Sequence, residues 1–426
     1  MDGGLRAPEL CGGEAVTGAS QLQETVNDPL AEVDFLGRAF QDDPYPVYAK
    51  LIAETPFFYS DSYRQYFAFS AEAVRAVMVS KDFTVESPFR ASRIMFGPTV
   101  VDLDGENHRR LRIALSEAIN VGKNQQYREE IILPTIRERV ADLKDGEAQN
   151  WVSDFCDLVP LQVMSRIIGI PDSDFDFFKR VCAPIIAYLD FATPETKAAG
   201  IAAMGELVPY LDDLLARLVE AGNFDSSIIG SYLRQQDENG QPSMVEITRH
   251  VSLLIPAAID TTNRLIANCI WLLCDNPDLQ KKLRGDTAAI SNFVTEVMRY
   301  EPPIHTTLRL AAKATEVLGV PVPAGAAVTV NLAAAARDPA LFDGPDDFDS
   351  ERPPSNRVLS FGAGKHQCVG KNLATIEICD CVEVLLDTFA DIAFAPGPKP
   401  QITGTAFRSP VVMPIIAHKF PTEEAL

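Results

Sequence analysis

Residues 361–370 read Phe361-Gly362-Ala363-Gly364-Lys365-His366-Gln367-Cys368-Val369-Gly370, and apolar periodicity predicts a helix directly after them, from Leu373 to Leu386. A lone cysteine in a glycine-rich turn at a helix start suits the single axial thiolate of a haem iron. The helix N-terminus and the N–H groups of the turn would stabilise the charge on sulfur. Gly362, Gly364 and Gly370 suit positive φ or a close approach of backbone to a flat cofactor. A buried structural cysteine is the competing reading of this stretch taken alone.

Three other segments carry chemistry-bearing residues at meaningful spacing. Glu296 and Arg299 are i,i+3 on one predicted helix, which fits a surface ion pair or a buried network. His108 and Arg112 are i,i+4 and share a face beside Arg109 and Arg110, which fits a solvated basic face or a pair that holds an anion. Asp260 and Thr261 stand in the middle of an otherwise apolar helix. A carboxylate is costly to bury there without a purpose. The competing readings are a solvent-facing aspartate and a threonine hydroxyl bonded to its own backbone four residues back. Pro256 lies just ahead of this pair, removes one N–H and frees the carbonyl of Ser252, so a kink or bulge is expected.

In this order the segments resemble the cytochrome P450 family of the soluble bacterial type, across roughly residues 28 to 420. Phe361, Gly364, His366, Cys368 and Gly370 match the cysteine-ligand loop. Glu296-Val297-Met298-Arg299 looks like the Glu-x-x-Arg pair, and Arg352 like the third member of its structural network. Ala257-Ala258-Ile259-Asp260-Thr261-Thr262 looks like the oxygen-activating segment. The resemblance implies haem b with Cys368 as metal ligand and molecular oxygen as co-substrate. It implies propionate contacts from His108, Arg112, Arg309 and His366, and cofactor contacts from Phe361, Gly362 and Ala258. Thr261 would hold oxygen and its waters, and Asp260 would relay protons. Ala258 departs from the family's usual glycine, and its methyl could narrow the oxygen groove.

By family position the substrate pocket is lined by Phe89, Ile94, Met95, Phe96, Leu254, Ala257, Ile304, Thr307 and Phe407. Such walls suit a hydrophobic organic substrate, to be hydroxylated or epoxidised in secondary metabolism or catabolism. Desaturation, oxidative coupling and decarboxylation are alternative outcomes of the same oxidant, and a non-catalytic haem-thiolate sensor is the alternative of another class. Arg90, Arg93, His305 and Arg408 could add positive charge for a substrate carboxylate. Arg109, Arg110, Lys365 and Lys371 form a basic patch expected to meet an acidic ferredoxin, itself reduced by an NAD(P)H-dependent ferredoxin reductase.

The 426 residues suffice for one large enzyme domain, and 28–426 are expected to form it, with 1–27 a flexible N-terminal segment. The net charge of -21 argues against nucleic acid as a partner. The chain shows no secretory signal and no membrane span, so a cytoplasmic monomer is expected. Eight cysteines without paired CxxC clusters fit free thiols rather than disulfides, zinc or an iron–sulfur cluster. Predicted elements are mainly helices with minor strands: a hairpin over 57–69, a loop over 82–99, a helix over 107–119, amphipathic helices over 127–220, a long helix over 245–274, short strands over 316–330 and a meandering loop over 338–360. The resemblance implies the same architecture, the P450 fold, with its long central helix over haem.

Overall fold

The protein is described here by a computed structural model covering residues 28–222, 228–234, 242–355 and 357–421. The expectation for 1–27 lies outside the described residues. The organising element is the helix Met244–Asp275, which runs through the core. It starts where the sequence signals it: Ser243 accepts from the Glu246 N–H while the Glu246 side chain reaches back to the Ser243 N–H. It stays helical through Pro256. Its neighbours include the helices Phe175–Asp190, Pro194–Ala221 and Lys371–Thr388. Thr193 caps the second of these with the same reciprocal pattern, Pro194 occupies its first turn, and Gly222 closes it at φ +63°.

Among the described residues the strands fall into four separate sheets. A five-stranded sheet runs Phe57–Ser60, Gln65–Ala68, Ala327–Asn331, Thr306–Ala311, Phe83–Thr84, and only the Gln65–Ala68 pairing with Ala327–Asn331 is parallel. Thr306–Ala311 was not foreseen as a strand; it brings Arg309 opposite Val328. The expected loop over 82–99 also contains order of its own, a strand at Phe83–Thr84 and a helix at Ala91–Phe96. Three further strands, Gln149–Asn150, Pro414–Lys419 and Phe389–Phe394, form a second sheet. The segment 338–360 contains no helix or strand among its described residues.

That irregular segment is held by one buried carboxylate. Glu296 accepts from Arg299 at 2.7 and 2.8 Å, from the Asp349 N–H at 3.0 Å and from Arg352 at 3.2 Å. Arg299 also donates to the carbonyls of Pro345 and Asp347, and Arg352 to those of Asp343 and Gly344. The charge is paired and its lone pairs are filled, the condition under which a buried ion pair is tolerated. Ser360 then ties the end of the segment to the Met298 carbonyl at 2.6 Å, immediately before the cysteine loop.

Candidate active site

Cys368 lies in a loop whose shape its glycines permit. Gly362 and Gly364 have φ near +70°, and a Cβ on Gly364 would come within 3.0 Å of the Met78 carbonyl oxygen. Gly370 has φ −80° and needs no left-handed conformation. The Cys368 N–H donates to the Phe361 carbonyl at 2.8 Å. Cys368 is exposed, yet burial raises its thiol's pKa. The two facts agree if the sulfur lines a hollow inside the protein rather than its outer surface. The Gly370 and Lys371 N–H groups and Arg112 oppose the rise by favouring the thiolate.

A second open surface lies on the central helix. That helix is buried on most sides, but Leu254, Ala257, Ala258 and Thr261, which share one face by their spacing, stay partly or fully accessible. The Thr261 hydroxyl donates to the Ala257 carbonyl at 3.0 Å, one of the arrangements anticipated from sequence. Asp260 is buried, accepts from Arg264 Nε at 3.0 Å, and is pushed by burial up to about 6 against the pull of that guanidinium.

The cationic residues form a third group. Arg309 is 6% exposed, and its hydrogen bonds go to the Leu308 carbonyl and the Thr307 hydroxyl, with no ion pair to a carboxylate among the described residues. Burial and then Arg90 lower its pKa to about 10. His108 is buried, its Nε2 has no hydrogen-bond partner among the described residues, and burial followed by Arg112 lowers its pKa. Its ring lies 4.3 Å from that of His366. Arg112 donates to the Gln367 carbonyl at 2.7 Å. His366 Nε2 faces Asp104 Oδ1 at 2.8 Å, and burial lowers the imidazole to about 4 despite that bond. Burial alone would raise Asp104. Hydrogen bonds from Lys365, Thr84 and His366 more than reverse this and hold it well below the usual carboxylate range.

A buried guanidinium without an ion pair and a buried imidazole nitrogen without a hydrogen bond among the described residues are both costly in isolation. They fit a site built for an anionic group, and the accessible thiol beside them fits a metal ligand. The donor set is thus suited to haem, a metal held by sulfur with two carboxylates at its edge.

The matched family model is Cytochrome P450, over residues 163–410. This chain belongs to the cytochrome P450 family. It is 29% identical over 411 residues to the cytochrome P450 monooxygenase PikC of Streptomyces venezuelae, covering 90% of this chain and 95% of PikC. It is 33% identical over 308 residues to cytochrome P450 107B1 of Saccharopolyspora erythraea, covering 71% and 72%. Among solved structures, CalO2 superposes with a TM-score of 0.83 at 25% identity, covering 91% of this chain and 98% of CalO2. P450BioI, solved with an acyl-ligated acyl carrier protein, superposes at 0.80 with 26% identity, covering 89% and 100%. The P450 is a haem-thiolate monooxygenase, and family membership implies haem b with cysteine ligation. No helix among its described residues is long and apolar enough to cross a membrane.

Other expected residues fall in varied settings. Ile304 bridges to Phe407, and the Arg264 guanidinium lies 5.4 Å over the Phe407 ring. Thr307 is half-buried in its strand. Met95 and Phe96 are buried, with Met95 Cε against Gly200. Ile94 is 42% exposed, and Phe89, at 84%, stands out in solvent. The four positive groups considered for a substrate carboxylate are engaged elsewhere. Arg408 is 1% exposed and bonds Glu301 and the carbonyls of Gly404, Asp42 and Ile402. His305 is fully buried against the Tyr48 hydroxyl, and Arg90 and Arg93 donate to the carbonyls of Val101 and Asp102. Sequence reasoning overlooked Arg264, although its i+4 spacing from Asp260 in an apolar helix was a usable signal.

Proposed function

We propose that Cys368 is the axial thiolate, that His108, Arg112, Arg309 and His366 hold the haem propionates, and that Phe361, Gly362 and Ala258 border the ring. When bound, haem supplies the oxidising chemistry that splits molecular oxygen. The carrying observation is the coincidence of an accessible, deeply set Cys368 with a buried Arg309 that makes no ion pair among the described residues. Thr261 positions water on the open helix face. Asp260 passes it protons, its pKa of about 6 lying close enough to neutrality for both forms to be populated. His366 donates from Nε2 to the charged Asp104, which fixes the orientation of its ring beside His108.

The substrate is a small hydrophobic organic molecule, bounded by Leu254, Ala257, Ile304, Thr307 and Phe407, with Ile94, Met95, Phe96 and Phe89 on the neighbouring segment. Hydroxylation or epoxidation is the expected outcome. PikC and vitamin D(3) 25-hydroxylase, a relative 30% identical over 383 residues, bear names consistent with such chemistry. Electrons come from a ferredoxin and its reductase, and residues 28–426 act as one catalytic domain.

The test compares the wild type with Cys368→Ser as reduced carbon monoxide complexes. The wild type should show the long-wavelength Soret band of thiolate ligation, and the variant should lose it while retaining its far-UV circular dichroism. The same band in both proteins would remove Cys368 from the metal.

A further inference from the structure

The segment ahead of the helix Gly105–Ala118 meets the central helix at one imidazole. His250 is fully buried. Its Nδ1 lies 2.5 Å from the Glu246 carbonyl one turn back, and its Nε2 accepts from the Val100 N–H at 3.1 Å. A carbonyl can only accept and a backbone N–H can only donate, so the ring carries its single proton on Nδ1 and is neutral. Among the described residues this is the one hydrogen bond from residues 91–102 to the central helix. The segment is tied within itself by Asp102, which accepts from the Ser92 and Thr99 hydroxyls at 2.6 Å each. Gly97, at φ +75°, brings the chain against Arg249, where a Cβ would come within 3.3 Å of the guanidinium Nε. The helix Ala91–Phe96 and Val100 are thus joined into one piece, and His250 is its polar fastening.

We propose that His250 is a positioning residue whose neutral ring holds this segment, the pocket wall bearing Ile94, Met95 and Phe96, against the central helix, and whose protonation in mild acid releases it. The inference rests on the reading of those three residues as pocket wall. Protonation puts a second N–H on the ring, at Nε2, facing the Val100 N–H. The hydrogen bond becomes a contact between two donors, and a cation is left in a buried site. The closed segment therefore favours the neutral ring, and burial lowers the pKa of His250 although the Glu246 carbonyl pulls the other way. Once the segment lifts, water reaches the ring and it titrates near its ordinary 6.5. The fastening is thus complete above pH 6.5 and weakens as pH falls toward the lower value of the closed form, because opening takes up one proton. Opening becomes about tenfold more favourable per pH unit in that window. The other groups facing the ring are Glu246 on its own helix, Arg110 from the helix Gly105–Ala118, Asp102 from the segment and Tyr232, whose ring lies 5.6 Å away. Glu246 and Asp102 favour the imidazolium and Arg110 opposes it.

The experiment is amide hydrogen exchange of the ferric holoenzyme over 94–101 between about pH 8 and about pH 5.5, corrected for the intrinsic pH dependence of exchange. The wild type should keep constant protection above about pH 7 and lose about tenfold per pH unit below 6.5. His250→Gln offers an amide oxygen to Val100 without titrating, and should hold its protection across the range. His250→Phe keeps a ring but no acceptor, and should exchange faster at every pH with no pH profile. Equal pH profiles in the wild type and His250→Gln, or wild-type protection in His250→Phe near pH 8, overturn the inference. Entry to the pocket is read with tert-butyl isocyanide, an uncharged ligand of ferrous haem, mixed with the reduced holoenzyme by stopped flow. Its association should quicken in acid for the wild type and stay constant for His250→Gln. The wall reading fails separately: exchange would then follow the expected pattern while isocyanide entry stays constant in both proteins.

Discussion

Glu377 lies on the helix that follows the cysteine loop, buried in protein, and its Oε1 has no hydrogen-bond partner among the described residues. Burial, reinforced by Asp380, raises its pKa to about 8. In the unfolded chain the same group titrates near 4.5. The folded state therefore holds the proton more tightly. This contribution to stability is complete below pH 4.5 and is lost as pH rises through about 8. Glu377→Gln resembles the protonated acid at every pH. Its melting temperature should match the wild type near pH 5 and exceed it by a few degrees near pH 9. Parallel melting curves across that range would show that Glu377 does not titrate in the folded protein. Single residues were unevenly legible in sequence. Cys368, Asp260 and Thr261 stood out because a polar group in an apolar or glycine-rich setting has few innocent explanations. Glu377 did not, because a lone glutamate on a helix ordinarily faces water and only packing reveals otherwise.

At the scale of elements, local pattern was enough for the long helices. The capping residues Ser243 and Thr193 and the apolar periodicity behind them act within a few residues of each other. Strand pairing is not local: Thr306–Ala311 joins Ala327–Asn331 and Phe83–Thr84, and nothing in its own six residues announces that partner. The meander is the opposite case, since its lack of regular structure was legible while its rigidity depends on Glu296. Removing that carboxylate strands Arg299, which is 1% exposed, and frees Arg352 and the Asp349 N–H. Glu296→Ala should lose about 3–5 kcal/mol of stability, because an uncompensated buried cation remains. Since the meander leads through Ser360 to the cysteine loop, the variant should also carry less haem per chain. Chemical denaturation and the ratio of haem to protein absorbance check both. A loss below about 1 kcal/mol would mean that the network behaves as a surface pair.

At the scale of the whole molecule, a chain of net charge -21 was expected to offer an acidic partner a basic patch. The structure shows that several of those cations are already paired. Arg109 meets Glu106 at 3.1 Å, Arg110 meets Glu246 at 2.6 Å and Lys365 meets Asp104 at 2.6 Å. Lys371 instead lies 5.7 Å from the Phe361 ring. Sequence could not reveal the last two pairs, because Glu246 and Lys365 are distant along the chain from the helix Gly105–Ala118 that their partners begin or occupy. Local pairing weakens the patch's long-range field, which governs how fast charged partners meet. Glu106 is exposed and bonded only to exposed Arg109 in the described structure, so Glu106→Gln should leave stability nearly unchanged while uncovering a positive charge. Reduction of the P450 by an acidic ferredoxin should then become severalfold faster at low ionic strength, and the gain should vanish as salt rises and the Debye length shrinks to about 10 Å near 0.1 M. Stopped-flow reduction over a salt series measures this directly. Equal rates for wild type and Glu106→Gln at low salt would place the electron-transfer contact away from the Gly105–Ala118 helix.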